Sequence, residues 1–172
     1  MPAFVLPDIL APGLRILFCG SAASRISAAR GYNYANPGNQ FWPVLKRVGL
    51  VPPDFNPAEF RTLPCFGLGL TDLCKSAIGN DDELSAEHFD TAALTRKIRK
   101  YQPQVLAFTS KFSAANYLGR KVNYGEQDER IGLTRIFVLP STSGQARRFF
   151  DESFWRSLAN TRYPSNAASI PA

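Results

Sequence analysis

The sequence predicts an α/β protein: one three-layer α/β/α domain around a four-stranded, mainly parallel sheet. It occupies residues 1–172, with its core at about 14–160 and with 1–13 and 163–172 peripheral. Short apolar runs alternate along the chain with helical stretches, the pattern of a parallel sheet covered on both faces. The length of 172 residues suits one real core and is too short for two comfortable ones.

The first strand is "LRILFC" (14–19), a buried apolar run. Residues 20–42, "GSAASRISAARGYNYANPGNQFW", then read as a long loop without regular structure, and such a loop in a compact domain is usually functional. Phe41, Val44, Leu45 and Val48 fall on one face of a helix that Gly49 ends. The proline-rich stretch after it leaves room for one short helix at 57–61. "FGLGLTDL" (66–73) is the second strand, and "KSAIGNDDELS" reads as polar surface. In "TAALTRKIRKYQ", Leu94, Ile98 and Tyr101 line one side of an amphipathic helix with Asp90 as its N-cap. "QVLAFTS" (104–110) is the third strand and opens directly into the helix-like "KFSAANYLG". "TRIFVLP" (134–140) is the fourth, and a closing helix at about 147–161 carries Phe150, Phe154 and Leu158 at a spacing of four. The tail "YPSNAASIPA" has no periodicity.

Composition narrows the chemistry. Hydrophobic residues make up 45% and charged residues 20%, ordinary for a globular protein. No apolar run reaches the roughly 18–20 residues that span a bilayer. The N-terminus lacks the charged region of a signal peptide, so the expected compartment is the cytoplasm. Cys19, Cys65 and Cys74 have no CxxC spacing, and His88 is the sole histidine, which argues against a disulfide framework, a zinc site or an iron–sulfur cluster. His88 itself reads as an exposed structural residue. Chemistry therefore falls to carboxylates, amides, hydroxyls and backbone. The net charge of +6 points to a polyanionic partner. With no long apolar edge or heptad, the expected state is a monomer.

Ligands of parallel α/β sheets sit beyond the carboxyl ends of the strands. Three strand exits are rich in functional groups. The first offers backbone N–H groups at Gly20, Ser21 and Ala22, aromatic faces at Tyr32 and Tyr34, and amides at Asn36 and Asn39. Stacking faces with amide edges describe a pocket for a nucleobase drawn out of a helix, although Asn-Pro and Pro-Gly are also ordinary turn chemistry. The fourth strand's exit, "PSTSGQARR", can grip phosphate through Ser141, Thr142, Ser143 and its arginines, or simply cap a helix. Asp72 ends the second strand, where a carboxylate serves as general base, as electrostatic stabiliser or as a turn cap.

Taken in order, "FCGSAAS", "YANPGNQFW", "GLGLTDL", "YQPQVLAF" and "IFVLPSTSG" resemble the uracil-DNA glycosylase superfamily, most of all its mismatch-specific uracil/thymine-DNA glycosylase branch. The resemblance runs from about Leu14 to Leu158. It implies hydrolysis of the N-glycosidic bond of uracil or another deaminated base in DNA, leaving an abasic site, without metal or cofactor. It also implies that the backbone of Gly20–Ser24 binds the base edge, that Tyr34 stacks on the flipped base, and that Ser27 lines the pocket. The run Ser141, Thr142, Ser143, Gly144, Gln145 to Arg147 would enter the duplex, with Gln145 as the wedge and Arg147 against the opposite strand. One departure matters. The branch's usual first motif is Gly-Ile-Asn-Pro-Gly, whose asparagine orients the attacking water; here that position is Ala22. Asp72 and Asn39 are the two candidates for the vacated role, and Asp72 is favoured because a carboxylate takes a proton and also stabilises a cationic sugar. Asn39 then serves as a base-edge or water-positioning partner, matching an asparagine of a related branch that acts on deaminated purines. The alternatives are a damaged-DNA-binding module that has lost catalysis, a hypoxanthine- or xanthine-directed glycosylase, and an α/β enzyme on a small phosphorylated metabolite.

Overall fold

The structure is a computed structural model, and it describes residues 4–161. The reading of the tail at 163–172 lies outside the described residues.

Five strands form one sheet: β1 (Ile16–Gly20), β2 (Leu68–Asp72), β3 (Val105–Phe108), β4 (Gly125–Ile131) and β5 (Thr134–Val138), in the order β2-β1-β3-β5-β4. β1 pairs in parallel with β2 and β3, and β3 with β5, while β4 runs antiparallel to β5. The sheet is thus mainly parallel, as expected, but has five strands rather than four. The additional strand is "GEQDERI", in which Gln127 is the one buried residue. It joins β5 through a two-residue hairpin at Gly132 (φ 58°) and Leu133.

Helices α1 (Arg25–Arg30), α2 (Phe41–Arg47), α3 (Thr91–Tyr101), α4 (Lys111–Leu118) and α5 (Glu152–Asn160) cover both faces. On β1, Ile16 and Phe18 face one core while Leu17 and Cys19 face the other. The first core packs Phe41, Val44 and Leu45 of α2 and Trp155 and Leu158 of α5 on the sheet. The second packs Leu94 and Ile98 of α3 and Ala114 of α4. Those two layers around the strands are the expected α/β/α sandwich.

Several boundaries differ from the sequence reading. The long loop is not irregular throughout, because "RISAAR" forms α1, with Ser24 capping its start and Gly31 (φ 81°) closing it. Six residues are too few to display a helical period. The segment after α2 is a 3₁₀ run over Pro57–Phe66 rather than a single turn at 57–61. The closing helix splits into a 3₁₀ segment, Gly144–Phe149, and α5, with Phe150 and Asp151 between them. Asp90 caps α3 as expected, accepting from Ala93 N at 2.8 Å.

Residues 4–10 run along the outer edge of β2, where Ile9 exchanges backbone hydrogen bonds with Leu70 at 2.8 and 3.0 Å. Asp8 on this segment pairs with Lys75 at 2.8 Å and with Lys97 at 2.6 Å, and accepts from the Thr71 hydroxyl at 2.7 Å. Burial pushes the Asp8 carboxyl up, but Lys75, Lys97 and Thr71 outweigh it, and the group ends below its ordinary range.

Candidate active site

Between β1 and β3 the chain reverses its winding, since β1 leads outward to β2 on one side while β3 and β5 lie on the other. The carboxyl ends of such strands diverge, and a crevice forms there. A cleft of about 650 Å³ opens at this edge. It is lined by the exits of four strands: Gly20–Ser24 after β1, Asp72 at the end of β2, Thr109 and Ser110 after β3, and Ser141–Gln145 after β5.

The predicted residues Gly20, Ser21, Ala22, Ser27, Tyr34, Asn39, Asp72, Ser141, Thr142, Ser143, Gly144 and Gln145 all line this one cleft. Arg147 does not; it is exposed on the 3₁₀ segment beyond the rim. Tyr32 lies away from the site, contrary to its reading as a stacking face. Its ring stacks on Phe60 at 6.0 Å between centroids and meets Trp42 at 6.5 Å, as part of the core.

Asp72 is the centre of the arrangement. In register it sits beside Gly20, and a Cβ on Gly20 would lie 2.7 Å from Asp72 Oδ1 and 3.0 Å from the Tyr34 hydroxyl. Only glycine lets the carboxylate lie this close to the β1 backbone. Asp72 Oδ2 accepts from Asn33 Nδ2 at 2.9 Å. Oδ1 takes no hydrogen bond from any described residue, yet no buried side-chain oxygen or nitrogen among them lacks a partner. Oδ1 is therefore the oxygen open to the cleft. Burial raises the carboxyl above its ordinary value; Lys75 and the Asn33 hydrogen bond oppose this, Asp8 adds to the rise, and Lys97 also pulls it down.

Tyr34 is half-buried and adopts φ 58°, a left-handed conformation unusual for a bulky side chain. One ring face rests on Phe41, 3.9 Å between centroids and 17° between planes, and its hydroxyl lies 3.0 Å from Thr109 Oγ1. Burial, with the Asp72 charge adding to it, pushes the phenol well up, so it stays neutral. Ser27 holds the loop from below, its hydroxyl accepting from Ala35 N at 3.1 Å. Asn39 stands just before α2, with Oδ1 accepting from Phe41 N at 2.9 Å, which commits its carbonyl and leaves its NH₂ to the cleft. Thr142 O accepts from Gln40 N at 2.9 Å and ties the β5 exit to the Asn-Pro-Gly loop.

The first-motif backbone is oriented by the strands. The carbonyls of Gly20 and Ser21 accept from Leu73 N and Cys74 N at 2.8 and 2.7 Å. The amides of Ser21 and Ala22 meet no acceptor among the described residues, so they remain donors at the cleft.

Sequence reasoning missed Asn33, Thr109 and Ser110, and the rim carboxylates Asp81 and Asp82. The β3 exit was legible by the same strand-end logic applied to "FTS". Asn33 carried no such signal. Among the described residues no group of three or more histidine, cysteine or acidic side chains is placed to hold a metal ion, and no helix is long and apolar enough to cross a membrane. His88 is exposed and holds its own 3₁₀ turn, Nδ1 accepting from Ser85 N at 2.9 Å.

An α/β/α sandwich with a polar cleft at the carboxyl edge of a parallel sheet, lined by one buried carboxylate, amides and hydroxyls, belongs to the class of α/β domains that act on a ligand at the strand ends. The family can be stated more closely. The sequence profile of the uracil DNA glycosylase superfamily matches residues 7–160, and the chain belongs to that superfamily. Membership supports a DNA glycosylase, a hydrolase of DNA repair, with DNA as its partner. The fold is similar to the solution structure of a candidate uracil DNA glycosylase from Methanosarcina acetivorans. The two share 24% identity with a TM-score of 0.61, over 92% of this chain and 96% of that one.

Proposed function

We propose that the protein is a monofunctional DNA glycosylase that flips uracil out of DNA into this cleft and hydrolyses its N-glycosidic bond, leaving free base and an abasic site. Within the superfamily it is read as most like the mismatch-specific uracil/thymine branch, acting as a cytoplasmic monomer without cofactor. The observation that carries the reading is the Asp72 carboxylate, buried at a strand end with one oxygen bonded and the other facing the cleft.

In this mechanism the flipped base lies against the free face of Tyr34. The Ser21 and Ala22 amides donate to base carbonyls, and the Asn39 NH₂ donates to the base edge or to water. Asp72 Oδ1 takes a proton from water as it attacks C1′, and the carboxylate stabilises the positive charge that grows on the sugar while the C1′–N bond breaks. The base departs with the bonding electron pair. General-base help of this kind is worth about 10²–10⁴ in rate. The pocket walls are uncharged apart from Asp72 and the rim acids, so hypoxanthine and xanthine are further candidates. Ser141–Gln145 and Arg147 engage the DNA backbone, and the polar Gln145 at the wedge position favours action on single strands as well as on mismatched duplex.

The test is alkali cleavage of end-labelled uracil oligonucleotides, single-stranded and paired with G or A, after incubation with EDTA present. Wild-type cleavage that collapses in Asp72→Asn is expected; near-wild-type turnover by Asp72→Asn would sink the general-base assignment. Collapse only in Asn39→Ala would move the water to the amide. Ala22 at the first-motif asparagine position favours a second reading, a damaged-DNA-binding module. Tight binding to uracil, hypoxanthine and xanthine DNA without turnover on any of them would establish it.

A further inference from the structure

Residues 33–35 form a strap stitched to four elements. The Asn33 side chain reaches the end of β2, the Tyr34 hydroxyl reaches the end of β3, and Ala35 N donates to Ser27 in α1. From α2, Trp42 Nε1 donates to the Asn33 carbonyl at 2.9 Å. Both Asn33 and Asp72 are buried, at 4% and 5% exposure. The left-handed φ of Tyr34 costs free energy and persists because these bonds over-determine the strap. Asn33 therefore cannot turn away without breaking a sequence of contacts around it.

We propose that Asn33 is the positioning residue of the reaction: its amide holds Asp72 Oδ2 so that Oδ1 is fixed toward the cleft as the proton acceptor. This rests on the reading of Asp72 as general base. Among the described residues Asn33 is the one hydrogen-bond donor to the Asp72 side chain. The charged and titratable groups facing Asp72 from the packed elements are Lys75 in the loop beyond β2, Lys97 on α3, Asp8 on the edge segment, Cys19 on β1 and Tyr34 on the strap. Lys75 and Lys97 are both committed to Asp8, and neither reaches the Asp72 oxygens. An amide NH₂ only donates, so its bond is strongest to an ionised carboxylate and opposes protonation at the oxygen it holds. Without it the carboxylate would be free to rotate, and burial would act unopposed by any hydrogen bond.

The experiment measures kcat and KM against pH on a uracil oligonucleotide for wild type, Asn33→Ala and the isosteric Asn33→Asp. In Asn33→Ala the acid limb of kcat is expected to move up by about one to two pH units, the equivalent of one hydrogen bond to a charged group. KM should stay within about threefold. In Asn33→Asp a second carboxylate beside the first should move the limb at least as far. In wild-type protein, whatever the stability of the variants, the Asn33 side-chain amide resonances should titrate with the midpoint of the Asp72 carboxyl carbon in NMR spectra. Acid limbs within about 0.3 unit of wild type, or Asn33 resonances that stay fixed through that midpoint, would overturn the proposal. Asp72→Asn separates the two ideas: if it abolishes turnover while the Asn33 variants keep the wild-type limb, the positioning role fails alone. If Asp72→Asn retains turnover, the general base itself is wrong and Asn33 has no carboxylate to position.

Discussion

Gly20→Ala tests the geometry of the cleft with a single methyl group. Its Cβ would stand 2.7 Å from Asp72 Oδ1, 3.0 Å from the Tyr34 hydroxyl and 3.7 Å from Thr109 Oγ1. Thr109 already stands at ordinary contact distance, but Asp72 Oδ1 and the Tyr34 hydroxyl are too close by several tenths of an ångström, and neither can yield cheaply. Asp72 is a short side chain held at Oδ2 by Asn33, and the Tyr34 hydroxyl is held by Thr109. Overpacking of a close-packed site costs about 1–3 kcal/mol. For a domain of this size each kcal/mol lowers Tm by about 2–4 °C. The catalytic loss should be larger than the structural one, because the displaced atom is the proposed proton acceptor, and losing a general base removes about 10²–10⁴ in rate. Thermal melting and single-turnover cleavage of uracil DNA, run on the same preparations, read both numbers. A variant that keeps its Tm within about a degree and its turnover within twofold would show that Asp72 does not occupy the position described, and the argument for its role would fall with it.

Asp72→Asn should raise Tm at neutral pH while abolishing turnover. The folded pKa of Asp72 lies above its unfolded value, so its stabilising contribution is fully present below the unfolded value and is lost as pH rises from there through the folded pKa, about 1.4 kcal/mol per pK unit. The Tm gap between variant and wild type should close as pH falls, and a variant less stable than wild type at pH 7 would contradict this. Asp8→Asn should move the acid limb of kcat downward, opposite to Asn33→Ala, because it removes a charge that raises Asp72 and leaves Lys75 and Lys97 unneutralised. An unchanged or raised limb in a pH–rate series would refute the sign. Gly69→Ala should cost stability with little loss of kcat, since its Cβ would meet Ile9 O and Leu14 Cδ1 at 2.5 Å, far from the cleft; melting and turnover separate the two. Arg147→Ala should weaken DNA binding and reduce the slope of log K against log salt by about one, with kcat nearly unchanged, as read by titration at several ionic strengths.

The sequence carried the sandwich because parallel strands buried on both faces leave continuous apolar runs, and β1, β2, β3 and β5 each have one. It hid β4, whose exposed charges have no alternation to read, because an edge strand is held by its partner's backbone more than by its own side chains. Asp72 was legible from its place at a strand end. Asn33 was not, since it sits between two tyrosines in a loop rich in glycine and asparagine, and its partner lies 39 residues away. The same stretch concealed which tyrosine serves the cleft. Tyr32 and Tyr34 look equivalent in the sequence, yet the left-handed turn at Tyr34 helps send one ring into the core and the other to the cleft.

Both borders of the sheet are guarded. On one side Ile9 occupies the outer hydrogen-bonding row of β2 at Leu70; on the other, β4 presents Glu126, Asp128, Glu129 and Arg130 outward. A strand that turns charge toward water, and another already paired, are poor templates for a foreign strand. Neither border of the sheet therefore invites edge-to-edge pairing between copies of the protein.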